Sequence, residues 1–245
     1  MKQVSYIVRE NAPIAADTWR LVLEGDCSAI KGSGQFVQLS LANCFLRRPF
    51  SVSDVQDDTL TIIYKVVGKG TAQMAAMKAG ERLDAITGLG HGFRPEKTAR
   101  KALLIGGSVG TAPLLKLARE LLADGKEVEV ALGFNTADLV FYIEEFERLG
   151  LKVHLATVDG TAGLKGVVTE AIKQAEGYDY YYCCGSKIMM KAVASFLDTP
   201  GEFSMEERMG CGTGICYGCS IQTANGAKRV CADGPVFGKE ELIWQ

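Results

Sequence analysis

Apolar and polar positions alternate through the first hundred residues. The segments VSYIVRE, WRLVLEG, GQFVQLSL and LTIIYKVV are rich in Val, Ile, Leu and Tyr, and Gly, Asp and Asn lie between them. Short strands spaced in this way predict an antiparallel barrel or sandwich. One helical stretch, Thr71–Lys78 (TAQMAAMK), interrupts the strands. Near Lys97 the texture changes. KALLI (Lys101–Ile105) reads as a buried strand that ends in a Gly-rich turn at 106–110, and a helix pattern follows over Ala112–Ala123. Strand VEVALGF, helix FYIEEFERLG, strand KVHLATV, helix VVTEAIKQA, strand YDYYYCCG and helix SKIMMKAVASFL come next. Strands that alternate with helices predict a doubly wound parallel sheet.

Beyond Pro200 the periodicity stops. Residues 201–245 are rich in Gly and Cys, and a segment so small and irregular is expected to bury little core and to need a metal or cofactor to hold its shape. A chain of 245 residues has room for this division into units at 1–97, 98–200 and 201–245. The expected class is therefore α+β and multidomain: an N-terminal antiparallel β-barrel, a central doubly wound α/β domain and a small C-terminal domain.

A net charge of −2 with no basic block argues against nucleic acid and against a polybasic membrane patch. The opening MKQVSYIVREN has no apolar run after it, and no stretch approaches the roughly 20 apolar residues of a spanning helix. A cytoplasmic location is expected. In a reducing compartment disulfides are rare, so eight cysteines point to metal or redox work.

Four of those cysteines form the pattern Cys211-x4-Cys216-x2-Cys219-x11-Cys231. This is the spacing of plant-type [2Fe–2S] ligation. Gly212, Gly214 and Gly218 are expected to let the backbone curl round a cluster and aim N–H groups at sulfur. The competing explanation is a structural zinc site, but zinc ribbons show paired knuckles, whereas here three cysteines fall within nine residues and the fourth stands apart.

Two segments have the chemistry for a flavin dinucleotide. Arg48-Pro49-Phe50-Ser51 follows the strand GQFVQLSL and offers a cation for a pyrophosphate and a hydroxyl for a ring. Ile63-Tyr64-Lys65 leads to Gly68-Lys69-Gly70-Thr71, where glycines open a helix and leave N–H groups for phosphate. An ordinary turn and an ordinary strand–helix connection are the plain alternatives.

Gly106, Gly107 and Gly110 lie in the turn GGSVGTAP, close to a dinucleotide fingerprint but with Pro113 in place of its last glycine. Cys184-Gly185 ends the strand YDYYYC, at the carboxyl end where ligands of such sheets bind and where a nicotinamide would meet a flavin. The alternative for Cys184 is a buried thiol. His91 and His154 have no partner by spacing, and Cys27 and Cys44 read as core residues.

The order of these features resembles the ferredoxin–NADP reductase superfamily, and within it the electron-transfer subunits of class B dihydroorotate dehydrogenase. The resemblance spans the chain and is sharpest in ERMGCGTGICYGC (207–219) and CADGPVF (231–237). It implies FAD at Arg48–Ser51, Ile63–Lys65 and Gly70-Thr71, NAD at Gly106–Gly110, Cys184 as the catalytic residue facing the nicotinamide, and a [2Fe–2S] cluster on Cys211, Cys216, Cys219 and Cys231. It further implies an FMN-containing catalytic partner, two copies of each subunit in a heterotetramer, and a place in pyrimidine biosynthesis. One departure is Gly88, where relatives often have proline. Two rival readings stand beside it. One is the nicotinamide-handling subunit of a ferredoxin-dependent transhydrogenase or sulfhydrogenase. The other is a non-enzymatic iron–sulfur scaffold or sensor, which would need no flavin.

Overall fold

The computed structural model describes residues 1–244. The N-terminal strands are β1 (Lys2–Ala15), β2 (Thr18–Glu24), β3 (Phe36–Leu39), β4 (Arg48–Ser51), β5 (Asp54–Gln56) and β6 (Thr59–Lys65); helix α1 (Lys69–Ala75) and strand β7 (Arg82–Leu89) follow. They form one antiparallel sheet in the order β4-β3-β7-β1-β2-β6-β5. The sheet curls until β4 lies against β6, giving a half-barrel around Tyr6, Val8, Leu21, Leu23, Val37, Leu39, Leu60 and Ile62. Every inward position of β7 is buried and the outward ones are polar or half-exposed, although no apolar run announces this strand. Helix α1 starts two residues earlier than its pattern predicts and stops at Ala75.

Gly88, where the family often has proline, takes φ +70°, and a Cβ there would press on the backbone of Ala29. Proline, fixed near −65°, has no access to this conformation.

The second sheet contains β8 (Lys101–Gly107), β9 (Glu127–Phe134), β10 (Lys152–Thr157), β11 (Leu164–Lys165), β12 (Tyr180–Cys184), β13 (Gly201–Ser204) and, from the chain's end, β16 (Val236–Gly238). Between the last two lies a separate hairpin of β14 (Ser220–Thr223) and β15 (Gly226–Arg229). The order is β11-β10-β9-β8-β12-β13-β16, parallel except for β16. Helices α2 (Leu114–Ala123) and α3 (Ile143–Arg148) cover one face; α4 (Val168–Ile172) and α5 (Lys187–Phe196) cover the other. The alternation explains this. Ala102 and Leu104 of β8 meet α2, while Leu103 and Ile105 face the other side. Helices α3 and α4 are shorter than their patterns predict, with six and five residues.

The C-terminal segment departs from expectation. It does bury core: Cys219, Val230, Cys231 and Phe237 join Phe36 and Leu89 of the half-barrel and Tyr181 and Phe203 of the parallel sheet in one continuous cluster. Each large side chain so buried stabilises the fold by about 1.5–3 kcal/mol. Polar ties reinforce the junctions. The Ser53 hydroxyl donates to the carbonyl of Ala112 (2.9 Å) and lies 2.9 Å from the Tyr142 hydroxyl. The wholly buried carboxylate of Glu202 pairs with the Arg94 guanidinium and accepts the Arg94 backbone N–H at 3.0 Å. Desolvation raises the Glu202 pKa, and Arg94 opposes the rise.

Candidate active site and cluster loop

A cleft of about 540 Å³ opens where the half-barrel meets the parallel sheet. Its barrel wall comes from Pro49, Phe50 and Ser51 of β4, Ile63, Tyr64 and Lys65 of β6, and Thr71 of α1. Its sheet wall comes from Gly107–Gly110 and Cys184–Ser186. A second cleft of about 510 Å³ continues past Pro49, Phe50 and Thr71 to Arg48 and Gly70. Of the flavin residues expected from sequence, all therefore lie along one continuous groove.

The donor set suits a dinucleotide. Arg48 donates to the carbonyl of Leu46 at 2.7 Å, and among the described residues neither Arg48 nor Lys65 pairs with a carboxylate. Two uncompensated cations in one groove favour an anionic ligand. Gly70 lies against the stem of Arg48. Thr71 lines both clefts, and its hydroxyl accepts from Val67 N–H (2.9 Å) and Gly68 N–H (3.2 Å), which holds the turn together. Tyr64 donates to Asn11 Oδ1 at 2.9 Å and meets Phe50 edge-on at 6.2 Å, a stiff apolar wall. Burial pushes its phenol up to about 12, so it stays neutral.

Cys184 and Gly106 are register partners on adjacent parallel strands. Gly107 and Gly110 line the cleft, and Gly106 is not part of its lining. Desolvation pushes the Cys184 thiol up to about 12 against a hydrogen bond with Ser204. It is thus a neutral thiol at physiological pH, neither nucleophile nor base. A further cleft of about 290 Å³ adjoins, sharing Gly107, Ser108 and Ser186 and reaching Asn135 and Thr169. It lies off the carboxyl ends of β8 and β9, where the chain order reverses between β8 and β12. That is the ligand-binding point of a doubly wound sheet.

Ser204, Met205 and Glu206 also line the main cleft, which sequence reasoning missed. Their signal is positional: Ser204 pairs in register with Cys184, so β13 ends at the same edge. From there the chain runs directly into the cysteine loop.

No disulfide joins any of the eight cysteines. In the loop they form two pairs. Cys211 Sγ accepts backbone N–H groups from Thr213 and Cys216, both at 3.4 Å, and Cys216 Sγ accepts from Cys211 and Gly218 at 3.5 and 3.4 Å. Cys219 Sγ accepts the N–H of Cys231 at 3.4 Å, and both of these residues are buried. Desolvation acts upward on the Cys211 thiol, but the backbone N–H groups of Cys216 and Thr213 outweigh it and hold it at about 6. Four thiols in two pairs, one shallow and one deep, ringed by N–H donors, fit a cluster with two irons better than one tetrahedral ion. Among the described residues no three such side chains close on a single ion.

The left-handed turns fall on Gly212 (φ +69°), Gly214 (+88°) and Tyr217 (+59°); Gly218 takes none but, as expected, aims its N–H at a sulfur, that of Cys216. Sequence reasoning also missed Arg229. It bonds Asp233 at 2.9 Å and the Gly214 carbonyl at 2.8 Å, and its guanidinium stacks 5.0 Å from the Tyr217 ring centre. His154, without a partner by spacing, meets Glu129 at 2.7 Å.

Comparison with known proteins agrees with this geometry. Residues 206–243 match the iron–sulfur cluster binding domain of dihydroorotate dehydrogenase B, and residues 104–195 match the oxidoreductase NAD-binding domain. A Geobacillus protein named dihydroorotate dehydrogenase B (NAD(+)), electron transfer subunit, is 40% identical over 99% of both chains. A Fusobacterium nucleatum protein of the same name is 38% identical over 97% of both. Among solved structures, an NADH-dependent reduced ferredoxin–NADP oxidoreductase is 30% identical at TM-score 0.89, covering 98% of this chain and 90% of that one. A ferredoxin NADP+ reductase from Neisseria gonorrhoeae, 17% identical at TM-score 0.66, shares the fold. The ferredoxin-linked rival thus shares the architecture, and the higher identity over nearly whole chains decides between them: this chain belongs to the electron transfer subunits of dihydroorotate dehydrogenase B (NAD(+)).

Proposed function

We propose that this chain connects a nicotinamide nucleotide with an FMN-bearing catalytic partner through one FAD and one [2Fe–2S] cluster. The partner oxidises dihydroorotate to orotate, and NAD⁺ receives the electrons. The carrying observation is the path of the chain after β13: Ser204–Glu206 line the main cleft, and a few residues later the same strand of chain becomes the cysteine loop. FAD supplies the exchange between two-electron hydride chemistry and the one-electron steps of the cluster.

The protein's own part is binding, positioning and exclusion. Arg48 and Lys65 hold phosphate charge, while Phe50 and Tyr64 wall the ring. Gly107–Gly110 admit the nicotinamide nucleotide to the opposite side. Cys184, held neutral beside Ser204, adds a polarizable contact without adding charge. Hydride transfer needs no protein base, and the cleft's neutral tyrosine and thiol meet that requirement. Cys211, Cys216, Cys219 and Cys231 hold the cluster, with Gly212 and Gly214 turning the chain between the first ligands.

Ile215 and Tyr217 are 80% and 65% exposed beside the ligands. We assign them to the contact with the catalytic subunit, in an assembly of two copies of each. Among the described residues no helix is long and apolar enough to cross a membrane, and the proposed setting is the cytoplasm.

The test is reconstitution. The chain alone should reduce dyes with NADH and leave dihydroorotate untouched; adding an FMN-bearing partner should yield orotate and NADH together. Orotate from this chain alone would overturn the subunit reading. Purified protein without bound flavin would favour the scaffold instead.

A further inference from the structure

Gln38 stands in β3 between Val37 and Leu39, whose side chains fill the half-barrel. Alternation along the strand turns Gln38 the other way, with Phe36. Phe36 packs in the core that holds Cys219 and Cys231. Gln38 is 1% exposed, and its Nε2 has no hydrogen-bond partner. Among the described residues it is the sole buried side-chain N–H donor in that position; the others are oxygens. Buried donors are almost always satisfied, so an orphan at a functional site calls for an acceptor.

Its surroundings supply a candidate. The carboxamide presses against Gly212, where a Cβ would collide with Nε2. Gly212 directly follows Cys211, whose sulfur already receives two backbone N–H groups. On the other side, Gln38 is the register partner of Pro49, which lines both clefts of the groove. The amide thus lies between the strand that walls the groove and the loop that carries the first thiols.

We propose that Gln38 Nε2 donates a hydrogen bond to a cluster sulfur on the Cys211 side, and that this bond raises the cluster's reduction potential. This rests on the cluster reading above. The physics is simple: reduction adds negative charge to the sulfurs, and an N–H donor in a dry environment stabilises the more negative state more. Gln38 is a positioning and tuning residue, since it touches no substrate.

The test uses the full chain with flavin and cluster bound. Gln38→Leu keeps the size and removes the donor. Its midpoint potential, followed by the electron paramagnetic resonance of the reduced cluster, should fall by about tenfold in the reduction equilibrium, which is about 59 mV for one electron. One exchangeable-proton coupling to the reduced cluster should vanish, with iron content and flavin absorbance unchanged. Gln38→Glu should lower the potential further. Unchanged potential and coupling in Gln38→Leu, with a normal cluster signal, would overturn this inference alone. Wild-type protein with no [2Fe–2S] signal would overturn the cluster reading and this inference together. If Gln38→Leu does not fold, wild-type protein labelled with side-chain ¹⁵N-glutamine decides: a ¹⁵N coupling to the reduced cluster supports the bond, and its absence refutes it.

Discussion

Gly110 and Cys184 touch main chain to main chain: a Cβ on Gly110 would lie 2.6 Å from Gly185 N and closer still to the Cys184 carbonyl. The Gly-rich turn is therefore seated directly on the end of β12. Gly110→Ala must push the two apart. Overpacking of this kind costs about 1–3 kcal/mol. We expect a lower Tm and a raised KM for NADH in dye reduction, with the cluster spectrum intact. An unchanged KM would show that the turn does not set the nucleotide site.

Cys216 is the exposed member of its pair, and its sulfur accepts two backbone N–H groups. Cys216→Ser should abolish the cluster's visible absorption and spare the flavin. Disorder should stay within the loop, because β13 and β16 are held by the parallel sheet. Hydrogen exchange maps this directly. A mutant with full iron content and spectrum would refute the ligand assignment.

The nucleotide cleft is expected to favour NADH. Its lining includes Asn135 but no Lys or Arg among the described residues, and Asp138 lies just beyond, bonded to Thr136. A 2′-phosphate needs a cation there. With a dye as acceptor, kcat/KM should be at least tenfold higher for NADH than for NADPH. Parity between the two would sink the prediction.

Asp179 accepts backbone N–H groups from Ala99, Arg100 and Lys101 at 2.8, 2.8 and 2.9 Å, pinning the start of β8. Desolvation acts upward on its pKa, but these donors outweigh it and hold it below its usual 3.8. A lowered folded pKa means stability that is present above 3.8 and lost as pH falls through the folded value. Asp179→Asn should destabilise by about 1–2 kcal/mol at pH 7, as a neutral amide replaces a charged acceptor. Denaturation curves of the two proteins should converge only in acid, below the usual carboxylate range. Equal stability at pH 7 would dismiss the role.

Much of this was legible in sequence, for identifiable reasons. The cysteine spacing and the strand–helix alternation are local patterns, the first confined to the C-terminal loop and the second to the parallel sheet. Strand β7 escaped because the outward Arg82 and Asp84 and the small or polar inward Ala85 and Thr87 leave it no apolar run. Gln38, Ser204 and Arg229 escaped for a different reason. Each acquires its role from a partner on another element (Gly212, Cys184 and Gly214), and no spacing rule encodes those contacts. The burial of the C-terminal segment was likewise invisible, since its contacts belong to Phe36, Leu89 and Tyr181.

Strand β16 has a consequence for how this protein can be divided. By pairing with β13 it covers what would be the open edge of the parallel sheet. Removing the chain from residue 206 onward would not yield a simpler two-part reductase. It would expose the unpaired backbone of β13 and the apolar flank of Phe203, a template for edge-to-edge aggregation. The terminal segment is thus a solubility element as well as an electron port, and a transplanted reductase core from this family must carry it along.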